Sequence, residues 1–411
     1  MSNARPIHSL LNNFQVEENN LLVGGVPLTR LAERVGRTPF YAYDRALMTR
    51  RVSELRQAMP EELHVHYAMK ANPMPAVVQH FASLVDGIDV ASVNEMRVAL
   101  DTPMPAQKIS FAGPGKSRAE LRAAIAAGIT LNVESEQELA TAVDLGEELG
   151  LSPRIAIRVN PDFELKSSGM KMGGGPKQFG IDAERVPEVI ARIKNAGLAL
   201  QGLHIFSGSQ NLKSEAIMEA QAKTIDLAIR LINETSVVIS LLNIGGGFGI
   251  PYFPGEQALD LKPIGAALGG LLEKVKQHMG DTTVAIELGR FLVGEAGIYV
   301  CRVLDRKISR GAVFLITDGG LHHHLAASGN FGQVLRKNYP VAVGNRMHST
   351  TREIASVVGP LCTPLDLLAD KMELARAEIG DLIVVFQSGA YGLTASPTAF
   401  LSHAMPLEAL L

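Results

Sequence analysis

The feature that most constrains the fold is a regular alternation of short apolar runs with longer segments, which begins near residue 64. Apolar residues in the longer segments recur at the three- and four-residue spacing of an amphipathic helix. Alternating strands and helices predict a parallel sheet, and eight such units close a (β/α)8 barrel. A doubly wound open sheet is the alternative. The eight runs are HVHYAM, GIDVAS, KISFAG, ITLNVES, RIAIRVN, GLHIF, LLNIGGG and VAIELGR.

Polar residues and glycines gather at the carboxyl end of every one of these runs. Barrel enzymes place their chemistry at the C-terminal ends of the strands, where the following loops meet. The same bias in all eight runs therefore favours an α/β fold of the TIM-barrel type over the open sheet. Examples are Lys70 after the first run, SGSQ after the sixth, GGGFG after the seventh and ELGR at the end of the eighth.

After Arg290 the pattern changes to β-rich runs that are separated by turn residues and show little helical periodicity. This pattern indicates a second, mainly antiparallel β domain. A strand-like run, PFYAYD, precedes the first barrel unit and is expected to pair with that domain. We therefore expect a barrel at 45–290 and a β domain formed by 1–44 together with 291–411.

Composition restricts the classes of partner and compartment. A net charge of -3 without clustered Lys and Arg argues against nucleic-acid binding. No run reaches the roughly 18 apolar residues of a membrane span, and the N-terminus lacks the apolar core of a signal peptide. Only two cysteines, Cys301 and Cys362, occur in the chain, which favours a reducing cytoplasm.

Lys70 is the first candidate catalytic residue. A lysine that faces the mouth of a barrel from the first strand is expected to be desolvated, so its amine is easier to deprotonate and can form a Schiff base. A lysine that extends from a strand end into solvent is the commoner case, and Lys70 alone would favour it. Two later motifs favour the catalytic interpretation.

The motif NIGGGFG, which contains Gly246 and Gly247, lies at the seventh strand–helix junction, where barrels commonly bind phosphate. A glycine run also forms ordinary turns. In ELGR, Arg290 offers a fork of donors to phosphate, and Glu287 can pair with a cationic ring nitrogen, although a salt bridge between the two fits the spacing equally well. A Schiff-base lysine, a phosphate site and such a carboxylate together describe pyridoxal 5'-phosphate (PLP), which stabilises a carbanion at Cα.

These motifs, in this order, make the chain resemble the fold type III PLP-dependent decarboxylases, the group of diaminopimelate, ornithine and arginine decarboxylases. The resemblance implies a TIM barrel with an alanine racemase-like C-terminal β domain. It also implies a homodimer with two active sites at its interface. The shared motifs span nearly the whole chain and are YAMKAN, DVAS, RVNP, QFGI, GSQ, GGGF, ELGR, GPLC and GAYG.

Carried over to this sequence, the resemblance implies that Lys70 binds PLP, that Glu287 pairs with the ring nitrogen, and that Cys362 returns a proton to the product. A buried, inert thiol is the usual interpretation of a free cysteine, and we keep it for Cys301. The expected cofactor-binding residues are Lys70, His204, Phe206, Ser209, Gly246, Gly247, Glu287, Arg290 and Tyr391, and the expected substrate-binding residues are Arg290, Thr363 and Tyr391.

Three positions depart from the family pattern. Phe206 stands where a histidine commonly stacks on the PLP ring, and His204 on the same face of the strand is expected to compensate in part. Leu288 replaces a usual proline. Thr363 replaces the acidic residue that reads the distal amino group of the substrate, so selectivity through a charged partner is lost there. The stretches HIFSGSQN and CTPLD resemble the subgroup found with bacterial exosortase systems and relatives that decarboxylate an aminoacyl group on a carrier protein.

The sequence therefore predicts a diaminopimelate decarboxylase-like enzyme that removes the α-carboxylate of an amino acid or of a carrier-bound aminoacyl group. An amino-acid racemase is disfavoured, because racemases of this architecture place an arginine at the ring nitrogen where this chain has Glu287. A non-catalytic PLP-binding regulator is disfavoured by the presence of Lys70, Arg290 and Cys362. No metal is expected, since His322 to His324 on a strand would point to alternating faces.

Overall fold

The structure is a computed structural model that describes residues 7–9, 13–164, 170–171, 174–333 and 336–411. The chain divides into two compact units, which we describe separately. The barrel unit comprises 51–249 and 259–289, and the β unit comprises the described parts of 1–50, 250–258 and 290–411. The first elements are β1 (Val16–Glu17), β2 (Asn20–Val23), β3 (Val26–Pro27), α1 (Leu28–Val35), β4 (Phe40–Tyr43) and α2 (Arg45–Ala58).

The barrel unit alternates strands with helices from His64 onward. Its elements are β5 (His64–Ala68), α3 (Pro75–Ala82), β6 (Gly87–Val90), α4 (Val93–Leu100), β7 (Ile109–Phe111), α5 (Arg118–Ala127), β8 (Thr130–Val133), α6 (Glu136–Leu149), β9 (Arg154–Asn160), β10 (Met170–Lys171), β11 (Ile181–Asp182), α7 (Val186–Asn195), β12 (Leu200–Ile205), β13 (Gly208–Ser209), α8 (Ser214–Thr235), β14 (Leu241–Gly246), α9 (Lys262–Met279) and β15 (Thr283–Leu288).

Eight parallel strands close the barrel in the order β9, β12, β14, β15, β5, β6, β7, β8, and β8 pairs again with β9. Each of the eight apolar runs predicted from the sequence forms one of these strands, so the predicted TIM barrel is confirmed. Serine residues cap the helices that follow three of the strands. Ser92, Ser117 and Ser135 accept hydrogen bonds from the third helical N–H of α4, α5 and α6, which fixes where each helix begins.

The β unit contains a mixed sheet built mainly from the C-terminal part of the chain. Its path runs β18, β21, β16, β17, β19, β20, with β4 bound to β16 and β22 bound to β4. Among the described strands of this sheet, the pairs β17–β19 and β22–β4 are parallel and the other pairs are antiparallel. The elements are α10 (Arg290–Val293), β16 (Gly297–Ser309), β17 (Ala312–Thr317), β18 (Val341–Val343), β19 (Arg352–Val358), β20 (Leu367–Ala375), β21 (Leu382–Val385) and β22 (Leu407–Leu410).

The predicted pairing of PFYAYD with the C-terminal sheet is confirmed, since β4 runs antiparallel to β16 with Phe40 opposite Val300. Both residues are fully buried in an apolar core that also contains Leu28, Val384 and Phe386. A separate three-stranded antiparallel sheet of β1, β2 and β3 contributes Leu21 and Val23 to the same core. Of the helices described, none is long and apolar enough to cross a membrane.

The expectation that His322 to His324 lie on a strand is wrong. These residues form turns in which the N–H groups of His323 and His324 both donate to the carbonyl of Gly320. The preceding pair of glycines and a hydrogen bond from Leu321 N to Asp366 Oδ1 of 2.6 Å redirect the chain there. Within the described ranges, no group of three or more His, Cys, Asp or Glu side chains could hold a metal ion.

Candidate active site

The first and last strands of the barrel bring Lys70 and Glu287 together. Lys70 lies in a single 3-10 turn, Met69–Ala71, directly after β5. Glu287 lies near the end of β15, which pairs with β5 so that Glu287 stands opposite His66. As a result, the Nζ atom of Lys70 is 3.6 Å from Oε1 of Glu287. Closure of the barrel therefore creates an amine–carboxylate pair at the carboxyl ends of two neighbouring strands.

The expected desolvation of Lys70 is wrong for the structure as it stands, because 47% of its side chain is exposed. The lysine follows β5 instead of lying within it, so its side chain leaves the packed interior of the barrel. Glu287 is the buried partner, with only 10% of its side chain exposed. Activation of this amine consequently depends on the groups around it and not on burial of the lysine alone.

Glu287 is held in its ionised form by its surroundings. Burial alone would raise the pKa of its carboxyl group, but Lys70, His204 and Arg158 together lower that pKa well below the usual range. The Nε2 atom of His204, on β12, lies 3.0 Å from Oε2 of Glu287. The site therefore presents a permanent negative charge that a cationic ring nitrogen could pair with.

Phe206 connects the amine to the glycine turn. Its ring centroid is 6.0 Å from Nζ of Lys70. On its other side, a Cβ atom added to Gly245 would lie 2.6 Å from Cδ2 of the same ring. The phenyl ring, the glycines of 245–247, Asn211 and Gln221 line one pocket. An aromatic ring thus lies near both the lysine and the turn, at the position where the sequence resemblance places a stacking side chain.

The turn after β14 requires glycine for reasons that the structure makes explicit. Gly245 and Gly247 have positive φ values of 67° and 78°, which side chains rarely adopt. A Cβ on Gly246 would lie 2.2 Å from the carbonyl oxygen of Glu287, and one on Gly247 would lie 2.2 Å from that of Gly208. The backbone there is therefore packed directly against the neighbouring strand end and the loop that contains Ser209.

Arg290 begins α10 in the β unit and lies among tyrosine side chains. Its Nη1 atom donates a 2.8 Å hydrogen bond to the hydroxyl oxygen of Tyr252, and the guanidinium carbon is 4.6 Å from the ring centroid of Tyr391. Tyr391 has a positive φ of 53°, a strained backbone conformation for a bulky residue. The arrangement fixes the direction of the guanidinium, whose planar fork of donors is suited to an anion.

Cys362 is exposed on a tight loop of the β unit. The carboxylate of Asp366 accepts the N–H of Leu361 at 2.8 Å, and the Thr363 hydroxyl accepts the N–H of Leu365 at 3.3 Å. Thr363 is therefore engaged with its own loop and presents no charge. Cys301, in contrast, is fully buried in β16, and burial raises the pKa of its thiol well above the ordinary value, in agreement with a structural thiol.

The structure brings together one group of the residues that the sequence singled out, namely Lys70, His204, Phe206, Gly246, Gly247 and Glu287 in the barrel unit. A second group, Arg290 with Tyr391, lies in the β unit, and a third, Cys362 with Thr363, lies on the loop described above. Ser209 lies in β13, opposite Met170 of β10.

Three residues near these groups were not identified from the sequence. Arg158 on β9 binds Glu134 at 2.9 Å and contributes to the ionisation of Glu287. Glu95 accepts the N–H of Ala91 at 2.7 Å, and Lys70 is among the charges that act on it. Tyr252 binds Arg290. Arg158 stands in the motif RVNP, which offered a signal, whereas nothing in the sequence marks Tyr252 as a partner of Arg290.

The residues of the barrel group fit pyridoxal 5'-phosphate. Lys70 supplies an amine suited to the aldehyde, Glu287 a buried carboxylate suited to the ring nitrogen, and Phe206 a ring suited to one face of the cofactor ring. The backbone at 245–247 has no side chains to obstruct a phosphate, and any Cβ atom there would collide with its surroundings.

Comparison with known proteins places these features in a family. The model of the family described as "Pyridoxal-dependent decarboxylase, pyridoxal binding domain" matches residues 45–294. The chain is 38% identical over 389 residues to the L-glutamyl-[BtrI acyl-carrier protein] decarboxylase of Niallia circulans, covering 93% of this chain and 90% of that protein. It is 32% identical over 388 residues to the diaminopimelate decarboxylase of Aquifex aeolicus, covering 93% and 89% of the two chains.

Solved structures agree with this relationship. The crystal structure of the diaminopimelate decarboxylase of M. jannaschii superimposes with a TM-score of 0.87 at 26% sequence identity. The superposition covers 97% of this chain and 92% of that one. The likeness therefore extends over both units and not only over the barrel.

Proposed function

Because the chain belongs to the fold type III pyridoxal-dependent decarboxylases, as its ordered motifs predicted, we propose that it removes the α-carboxylate of an amino acid or aminoacyl group with PLP bonded to Lys70. The observation that carries the assignment of residues is the position of Phe206. The centroid of this ring lies 6.0 Å from the lysine amine and its edge lies close to Gly245 of the glycine turn, so the proposed aldehyde, ring and phosphate sites of a single flat cofactor would lie side by side.

Each residue of the barrel group has a definite task in this proposal. Lys70 holds the cofactor through its amine, and Glu287 keeps a proton on the ring nitrogen by pairing with it. When bound, PLP supplies the electron sink that accepts the electron pair left at Cα as CO2 departs. Before PLP binds, Lys70, His204 and Arg158 hold the carboxyl pKa of Glu287 well below the usual range against the effect of burial. A cationic ring nitrogen would replace Lys70 as the positive charge beside this carboxylate.

The phosphate is proposed to bind the backbone of Gly246 and Gly247, the hydroxyl of Ser209, and the side chains of Arg290 and Tyr391. Support for Arg290 comes from its fixed guanidinium, which Tyr252 orients through the 2.8 Å hydrogen bond. A planar guanidinium is suited to two parallel hydrogen bonds to phosphate. Arg290 and Tyr391 would also lie next to the substrate that the cofactor carries.

Cys362 is proposed to return the proton that replaces CO2 on Cα, either directly or through a bound water. Its exposure on the β unit suits a thiol that serves a site completed by a second copy of the chain. We accordingly propose a homodimer with shared active sites. The free cysteines Cys301 and Cys362 support a reducing compartment, so we propose that the dimer acts in the cytoplasm.

The substrate class is the point on which two proposals compete. A free diaminopimelate-like amino acid is one candidate, because several relatives of this chain bear that activity. An aminoacyl group carried on an acyl-carrier protein is favoured by a specific observation. Thr363 is neutral and is bonded to its own loop, so it offers nothing to a distal ammonium group, and the 38% identical relative acts on such a carrier.

A decarboxylation screen distinguishes these proposals. The purified chain with added PLP is incubated with meso-diaminopimelate, free L-glutamate and L-glutamyl-loaded acyl-carrier protein, and CO2 release is measured, with Lys70→Ala as the control. Release from the loaded carrier alone supports the carrier-bound class, and release from diaminopimelate supports the other. Retained CO2 with loss of chirality would indicate a racemase, and the absence of either reaction in a chain that binds PLP would indicate a regulator.

A further inference from the structure

The two oxygen atoms of Glu287 have different partners. Oε1 lies 3.6 Å from the amine of Lys70, and Oε2 lies 3.0 Å from Nε2 of His204. The side chain of Lys70 is nearly half exposed, whereas His204 is 3% exposed and lies within β12. One oxygen of the carboxylate therefore faces an exposed amine and the other faces a buried imidazole.

The two contacts would respond differently to the proposed cofactor. An aldehyde held by Lys70 would engage the nitrogen that now lies beside Oε1, and Glu287 would serve the ring nitrogen. Among the contacts of Glu287 that the described residues show, the one with His204 would be kept, because strand pairing sets the position of His204 opposite Arg158 and Asn243.

Other groups near Glu287 have partners of their own or lack a donor, and the Nδ1 atom of His66, which stands opposite Glu287, lies 3.3 Å from Oδ2 of Asp89. The ring of Phe206 has no hydrogen-bond donor. The guanidinium of Arg158 is engaged by Glu134 at 2.9 Å. Within the described ranges neither ring nitrogen of His204 makes a hydrogen bond of full geometry, although its Nε2 atom lies 3.0 Å from Oε2 of Glu287. A buried imidazole that served packing alone would cost free energy that an apolar side chain avoids.

We infer that His204 is a positioning residue, which holds the carboxylate of Glu287 in the orientation that the cofactor's ring nitrogen requires once Lys70 is bonded to the cofactor. The inference rests on the proposed function and extends it. The role differs from stacking on the ring, the task that the sequence resemblance gives to position 206. A chain with phenylalanine at position 206 would thus still have a histidine, His204, that acts on the cofactor through Glu287.

The test compares His204→Leu, His204→Asn and His204→Gln. Glutamine places its amide nitrogen close to where Nε2 of histidine lies, whereas asparagine is too short and leucine has no donor. Each variant is titrated with PLP, and the visible absorbance band of the Lys70-bound cofactor is followed against pH. The ring nitrogen is examined by NMR with 15N-labelled PLP. Glu287→Gln provides the reference for a lost carboxylate, and thermal melting checks that each variant is folded.

In the leucine and asparagine variants we expect the pH midpoint of the visible band to rise by about one unit, a shift of the size that a nearby charged group produces. The reason is that a less protonated ring withdraws fewer electrons from the nitrogen of Lys70, which then holds its proton more tightly. The 15N signal should move toward that of Glu287→Gln, and the glutamine variant should remain close to the parent in both measurements.

The inference is overturned if folded His204→Leu, or His204→Asn should the leucine variant not fold, keeps the parent midpoint and 15N signal. It is equally overturned if all three variants, glutamine included, shift alike, because His204 would then be only structural. A parent chain that shows no Lys70-dependent band would instead overturn the proposed function, so the two failures are distinguishable.

Discussion

The amine of Lys70 and the carboxylate of Glu287 are 3.6 Å apart at the ends of two adjacent parallel strands, β5 and β15. These are the first and the last strands of the barrel, so the pair exists only because the sheet closes. In a doubly wound open sheet the first strand lies inside the sheet and does not neighbour the last, so the two residues would be separated. The proposed catalytic pair therefore requires a closed barrel. Substitutions of single residues around the pair test the proposed chemistry and this geometry together.

Gly247→Ala should lower the affinity for PLP by about tenfold or more. The new Cβ would lie 2.2 Å from the carbonyl oxygen of Gly208 at a φ of 78°, so the turn must move. Gly270→Ala on α9 is the matched control, because nothing lies within 4 Å of its added Cβ. The control should bind PLP like the parent and gain about 0.5–1 kcal/mol of stability. Absorbance titration measures the affinity for PLP, and urea unfolding measures stability. Unchanged PLP affinity in Gly247→Ala would rule out the glycine turn as part of the phosphate site.

Arg290→Lys should weaken binding of PLP about 10- to 100-fold, the loss expected for a hydrogen bond to a charged group of about 1.5–3 kcal/mol. Lysine cannot reproduce the planar fork that Tyr252 orients. Pyridoxal, which lacks the phosphate, should bind the variant and the parent equally well. Titration with the two compounds is the measurement. Equal losses for both would mean that Arg290 does not contact the phosphate.

Thr363→Glu should create activity on meso-diaminopimelate, because a carboxylate at this position can pair with a distal ammonium group. Thr363→Gln is the control, since glutamine has similar length and no charge. Rates of CO2 release from diaminopimelate and from a loaded carrier protein are compared in both variants. Equal behaviour of the two variants would show that charge at position 363 does not set selectivity.

The β unit should become less stable as the pH falls, because His324 is buried within it. Its Nδ1 atom accepts the N–H of Ala327 at 3.2 Å and its Nε2 faces the hydroxyl of Ser388 at 2.9 Å, and burial lowers its pKa to about 3. The unfolded chain binds a proton near pH 6.5 while the folded chain does not, so stability is present above about pH 6.5 and is lost between there and about pH 3.

For His324, the free energy of unfolding should fall by about 1.4 kcal/mol for each pH unit in this range. Urea unfolding at about pH 7 and about pH 5 measures it, and His324→Gln should reduce the difference. His322 and His323 act in the same direction, because burial lowers their pKa values to about 3 and about 4, so part of the dependence should remain in the variant. An equally steep dependence in His324→Gln would contradict the assignment to this residue.

The sequence was sufficient for the barrel because strand formation and polar strand ends are local properties. Each apolar run carries its own periodicity, and Ser92, Ser117 and Ser135 mark where helices begin. Pairing of β4 with β16 could also be anticipated, since an isolated apolar run must be buried somewhere. The turns at His322 to His324 could not be anticipated, because the turn before them is held by Asp366, a residue far along the chain.

Contacts between side chains on different strands of the barrel could not be predicted from residue spacing in the sequence. His204 and Glu287 stand on β12 and β15, which are separated by β14, and only the curvature of the closed sheet brings their side chains to 3.0 Å. The exposure of Lys70 depends on a single 3-10 turn that moves it beyond the strand. In both cases the deciding factor is three-dimensional closure, which a linear pattern does not encode.

The most direct test of the central claim is to trap the bond between Lys70 and PLP. The purified chain is incubated with PLP, reduced with borohydride and digested, and the peptides are analysed by mass spectrometry. The account predicts a phosphopyridoxyl mass on the peptide that contains Lys70, and no such label at any defined site in Lys70→Ala. A label that persists at one other lysine in Lys70→Ala, or that is spread over surface lysines in the parent, would contradict the account.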